Sequence, residues 1–247
     1  MIKMFKLVDS DWKDILVAFD TITTMEDECK IEINQEGIKL TAMDKNHVVF
    51  IELILDEQKF DIYECTENKT IHIDTRKLLQ VLKIGNQDDI MTWILNENKL
   101  QITFEGSMTT QLSIPVIDES YQVPPKPKLD LPIQVNIPGK LFKEAMIHIS
   151  EFSEKVRIDV DEKTIQMSSL SDFGEDCKVR YDHFGEIDEV TRSDYSSILL
   201  KNIAKADKFE PILTLEMGEY TPMVATYQNK DETKSLSFIV APRVAED

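Results

Sequence analysis

Two stretches of this chain, LKIGNQDDIMTWIL at 82–95 and AKADKFEPILTLEM at 204–217, overlay at an offset of 122 residues. A second match precedes each of them. Ile31 and Ile33, a turn, then Ile38 and Leu40 correspond to Ile158 and Val160, a turn, then Ile165 and Met167, with a seven-residue step in both. Each half reads helix, strands, helix, strands. A 247-residue chain that repeats its element order in this way is an internal duplication, and each half is long enough to bury a core of its own.

Within each half the dominant pattern has period two, the mark of half-buried strands. Ile71-His72-Ile73, Leu100-Gln101-Ile102-Thr103-Phe104 and Leu213-Thr214-Leu215 are examples. The turns NQEG (34–37), NENK (96–99) and DEKT (161–164) lie between such runs, and this spacing predicts antiparallel hairpins instead of βαβ crossovers. Four segments switch to the helical period. They are 11–21 (Trp12, Ile15, Leu16 and Phe19, with Ile22 just beyond, on one face), 75–83 (Leu78, Leu79, Leu82), 139–150 (Leu141, Phe142, Ala145, Met146, Ile149) and 195–208 (Leu199, Leu200, Ile203, Ala204). Asp74 and Thr75 supply N-cap chemistry for the second, and Pro138-Gly139 opens the third.

The fold class that follows is α+β: two repeats, each an antiparallel sheet with two helices. The repeats are expected at 1–117 and 134–247, with 118–133 as a connecting loop. The stretch IDESYQVPPKPKLDLP (117–132) holds four prolines, which favour extended backbone and cannot serve a central strand. It reads either as a plain linker or as an exposed connector offering Tyr121, Val123, Leu129 and Leu131 to a partner.

Much chemistry is excluded. The seven glycines never lie closer than eleven residues apart, so no Gly-rich phosphate cradle and no nucleophile elbow can be written. His47, His72, His148 and His183 form no metal-binding pair at helical spacing. Cys29, Cys65 and Cys177 are sparse and odd in number, which argues against a disulfide framework or a zinc site. No apolar run approaches the roughly 20 residues of a membrane span, and the charged N-terminus lacks a signal-peptide core. The acidic clusters Asp159/Asp161/Glu162 and Glu26/Asp27/Glu28 allow a minor reading as metal-dependent enzyme sites, but both fall where solvated carboxylates are commonplace.

Charge adds a positional signal. The chain carries 28 basic and 46 acidic residues, a net −18, which at first sight suggests that it avoids nucleic acid. The four helical segments, however, hold nine Lys/Arg against five Asp/Glu, a net +4, and the remainder is −22. Lys201, Lys205 and Lys208 are placed opposite the apolar face of the fourth helix. Arg76, Lys77 and Lys83 mark the second, and Lys140 and Lys143 the third. A single such face is usually only solvated. Its repetition on three of four helices points to a positive strip able to hold phosphates without reading bases.

These features, with the strings LTAMDKNHVVFIELIL (40–55), LLQVLKIGNQDDI (78–90), the proline-rich connector and FIVAPRVAED (238–247), closely resemble the sliding-clamp family, proliferating cell nuclear antigen and its archaeal counterparts. The likeness covers essentially the whole chain. It implies a DNA-clamp fold in a ring-forming trimer that encircles duplex DNA as a polymerase processivity factor, with no catalytic residues, cofactor or metal. The family positions implied for DNA are Lys13, Arg76, Lys77, Lys83, Lys140, Lys143, Lys201, Lys205 and Lys208. The first helix departs from the pattern, since Asp11, Asp14 and Asp20 outnumber Lys13. The implied pocket for PIP-box peptides is lined by Met43, His47, Val48, Phe50, Val123, Leu129, Pro222, Ile239 and Ala241. The implied subunit interface joins 108–114 (Met108, Thr110, Leu112, Ile114) to 177–181 (Cys177, Val179, Tyr181). The partners implied are two further clamp subunits, DNA polymerase, clamp loader, flap endonuclease and DNA ligase, with no membrane. The location implied is cytoplasmic and nucleoid-associated, or nuclear in a eukaryote. The alternative from another class is an acidic clamp-fold adaptor that assembles proteins without encircling DNA.

Overall fold

The computed structural model describes residues 5–96, 98–117, 123–169, 176–183, 187 and 190–243. The chain divides into two compact units. The first comprises Met1–Lys45, Ile51–Pro125 and Asn229–Leu236, and the second Asn46–Phe50, Lys126–Gln228 and Ser237–Asp247. Within the connector, residues 118–122, including Tyr121, lie outside the described residues, as do 244–247 at the end of the C-terminal string.

The first half of the chain runs β1 (Phe5–Asp9), α1 (Lys13–Ile22), β2 (Glu28–Asn34), β3 (Gly37–Met43), β4 (Val49–Asp56), β5 (Ile62–Cys65), β6 (Lys69–Asp74), α2 (Thr75–Leu82), β7 (Ile90–Asn96), β8 (Lys99–Glu105) and β9 (Thr109–Pro115). Its strands order as β5-β1-β7-β8-β9 and as β4-β3-β2-β6. The second half runs β10 (Ile133–Pro138), α3 (Gly139–Ser150), β11 (Lys155–Val160), β12 (Thr164–Ser169), β13 (Lys178–Asp182), β14 (Thr191–Ser196), α4 (Ser197–Ile203), β15 (Ile212–Met217), β16 (Met223–Gln228) and β17 (Lys234–Val240). Its strands order as β10-β15-β16-β17 and as β13-β12-β11-β14.

The duplication is visible in the register. Ile31 faces Leu40 and Ile33 faces Ile38 across β2–β3, while Ile158 faces Met167 and Val160 faces Ile165 across β11–β12. The period-two pattern is realised as alternating burial along β2, β8, β11 and β15. In the first hairpin the Asn34 side chain accepts the amides of Glu36 and Gly37. Gly37 sits at φ 142°, and a Cβ there would lie 2.2 Å from the Leu55 carbonyl oxygen, so only glycine fits.

The helices pack in pairs, α1 against α2 and α3 against α4 with its following turn. Phe19 and Ile22 of α1, Leu78 and Leu82 of α2, Phe142 and Ile149 of α3, and Leu200 and Ile203 of α4 are buried as the period requires. Two features depart from the sequence expectation. Leu141, placed on the apolar face of α3, is 40% exposed. The fourth helix does not run from 195 to 208: β14 continues to Ser196, α4 ends at Ile203, and Ala204–Lys208 tightens to a 3-10 turn. Lys201, Lys205 and Lys208 therefore do not share one α-helical face.

Candidate functional site

Of the first unit's candidate cations, Lys13 is exposed on the first turn of α1, and Arg76 and Lys77 open α2. The N-terminus of α2 is fixed by Asp74, whose side chain accepts the Lys77 amide at 3.0 Å. Carboxylates stand beside three of the four cations. Arg76 pairs with Asp27, Lys83 with Asp20 at 2.8 Å, and Lys77 with Asp74 at 3.9 Å. Asp14 turns away toward Lys59 at 3.2 Å and Lys234 at 3.3 Å.

In the second unit Lys143 pairs with Asp207 at 2.7 Å, and Lys201 reaches Glu151 at 3.6 Å. Lys140, Lys205 and Lys208 are exposed.

The two stretches implied for the interface lie at sheet edges. β9 is the last strand of its sheet and β13 the last of another, each paired on one side only within the chain. Thr110 and Leu112 on β9 and Val179 and Tyr181 on β13 are half-buried. Met108, 67% exposed, precedes β9, and Cys177 precedes β13, where its amide and carbonyl both engage Ser169. Ile114 is a core residue of its own unit at 2% exposure.

Seven of the nine implied pocket residues belong to the second unit, and Met43 and Val123 to the first. The Ala241 amide donates to the Val48 carbonyl at 2.9 Å, tying the stretch 46–50 to the end of β17. His47 is exposed and takes φ 57°, a left-handed conformation that turns the chain just before β4. Val48, Leu129, Pro222 and Ala241 are half-buried, whereas Phe50 and Ile239 are buried at 3% and 5% exposure. In this state the last two are core residues.

Known proteins share the sequence and the fold of this chain. A family model described as the N-terminal domain of proliferating cell nuclear antigen matches residues 12–118. The DNA polymerase sliding clamp of Methanothermobacter thermautotrophicus is 33% identical over 241 residues, spanning 98% of both chains. The chain belongs to the DNA polymerase sliding clamp family. The clamp of Methanobrevibacter smithii is 34% identical over 244 residues, 99% of this chain and all of that one. A crystal structure of proliferating cell nuclear antigen from Thermococcus kodakaraensis superposes with a TM-score of 0.90 at 21% identity, covering 97% of this clamp chain, and shows the same fold.

The acidic clusters of this clamp have structural employment. Asp159 pairs with Arg192 at 2.5 Å. Asp161 accepts the amides of Lys163 and Thr164, which holds its carboxyl down at about 2, well below the usual range. Glu26 is buried and accepts the amides of Asp27 and Glu28. The described residues contain no grouping of three or more His, Cys, Asp or Glu suited to a metal ion, and no helix among them is long and apolar enough to cross a membrane. Sequence reasoning missed Lys59 and Lys234 as the counter-charges of Asp14. Their separations of 45 and 220 residues leave no local signal for either.

Proposed function

We propose that this chain is a polymerase processivity factor that closes with two further subunits into a ring around duplex DNA and tethers replication and repair enzymes through PIP-box peptides. The observation that carries the reading is 33% identity to a DNA polymerase sliding clamp along 98% of both chains. Open edges at β9 and β13 support it. An unpaired edge is a liability, and head-to-tail pairing of β9 in one subunit with β13 in the next removes it. Met108, Thr110, Leu112 and Ile114 then meet Cys177, Val179 and Tyr181. The repeats are 1–117 and 134–247, with 118–133 as the connector beside the peptide pocket.

Enclosure explains how a chain of net −18 acts on DNA. A closed ring holds the duplex by topology, so its inner contacts can be weak and mobile, while the acidic remainder repels DNA from other surfaces. The role is mechanical and asks no bond-making of the protein. Polymerase, clamp loader, flap endonuclease and DNA ligase are the partner classes, and the cytoplasm and nucleoid the place of action.

The test is retention. Loaded by a clamp loader onto nicked circular duplex, the protein should co-migrate with the circle through gel filtration and be lost when the circle is linearised. Equal retention on both forms, or on neither, overturns encirclement, and an oligomer that binds partner enzymes without topological retention marks the assembly adaptor.

A further inference from the structure

Resting on the reading of the helix faces as the DNA-facing surface, we infer that the second unit supplies most of the phosphate contacts, because three of the first unit's four helix cations are engaged by its own carboxylates, against two of five, Lys143 and Lys201, in the second. In the first unit Asp27, Asp74 and Asp20 stand against Arg76, Lys77 and Lys83. Segments 11–21 and 75–83 together carry four basic and three acidic residues, a net +1. In the second unit, segments 139–150 and 195–208 carry five basic and two acidic residues, a net +3. Among the described residues Lys140, Lys205 and Lys208 make no ion pair.

Local geometry points the same way. Side chains three apart nearly eclipse in a 3-10 turn, so the tightening of Ala204–Lys208 brings Lys205 and Lys208 onto one side. Lys140 sits in the first turn of α3, whose N-terminus has no side-chain cap and keeps its partial positive charge for an anion. α1 also lacks a side-chain cap but holds Asp14 in its first turn, which accepts the Ile15 amide at 2.7 Å, and Asp74 caps α2.

An exposed ion pair is weak, so Lys83 is not locked to Asp20. A phosphate that recruits Lys83 must nevertheless displace that carboxylate or sit beside it, which offsets the gain. Lys205 and Lys208 carry no such cost.

Binding to a short linear duplex at about 20 mM salt, followed by the dependence of log K on log salt, tests the inference, with thermal melting confirming that each variant folds. Lys140→Ala/Lys205→Ala/Lys208→Ala should weaken binding at least tenfold and reduce the salt slope by about 2–3, since each phosphate contact contributes roughly 0.9. Arg76→Ala/Lys77→Ala/Lys83→Ala should weaken it at least threefold less. Asp20→Asn/Asp27→Asn, which releases Lys83 and Arg76, should tighten binding severalfold. Equal losses from the two triple variants, or no gain from the Asn pair, overturn the asymmetry while the DNA-facing surface stands. Loss from neither triple, or no binding by the native protein, removes that surface and the inference with it.

Discussion

Lys59 places its ammonium 2.5 Å from Asp9 and 3.2 Å from Asp14, with only 7% of its side chain exposed. Asp9 is itself 2% exposed, and burial pushes its carboxyl above the ordinary value despite the attraction of Lys59. Lys59→Met would leave a buried carboxylate without its counter-charge, and breaking such a pair costs about 3–5 kcal/mol. Chemical denaturation at pH 7 should show that loss. The sign with pH follows from linkage: a folded-state carboxyl titrating above its unfolded value makes the native state bind the extra proton. The variant should therefore gain stability as pH falls from 7 toward 4, and a midpoint that falls over that window counts against this account. The site also shows what a sequence hides at this scale. Asp14 reads as an acid spoiling the DNA-facing face of α1, because Lys13 is its only visible neighbour, whereas the folded chain brings it Lys59 from a 3-10 turn and Lys234 from β17, both far along the sequence.

The elements were largely legible because their signals are local. Asp74 sits one residue before the helical period begins, and it caps α2 through the Lys77 amide. Asp74→Ala should cost about 1 kcal/mol, read as a fall of about 2–4 °C in melting temperature, with Asp74→Asn close to native. The hairpins at Asn34–Gly37 and Asp161–Thr164 declared themselves through turn residues flanked by alternation. The end of α4 did not. Five residues of a 3-10 turn after seven of α-helix differ from a continuous helix by too small an angle for apolar spacing to report, and Ala204 and Ala206 are both buried. β1 and β10 were also missed as strands, being five and six residues long and set directly before helices whose periodicity dominates any window across them.

For the molecule as a whole, the proposed joint between subunits is the pairing of two terminal strands, β9 and β13. Leu112 on β9 and Val179 on β13 are half-buried within their own sheets, so a charge at either position burdens the pairing of subunits more than the fold of one. Leu112→Glu or Val179→Glu should yield a particle with the mass of one 28.5 kDa chain in light scattering, with secondary structure unchanged by circular dichroism. An assembly mass equal to that of the native protein would show that these strands are not the joint. At this scale sequence likeness outran local pattern: the strings that mark the family span the chain, and the architecture agrees with them. What no window of sequence announces is the cross-over of segments. Residues 46–50 fall in the second unit and 229–236 in the first, so each unit is completed by a short piece carried on the other half of the polypeptide. A gene divided at the proline-rich connector would thus encode two truncated bodies, each missing a patch that only its sister transcript supplies.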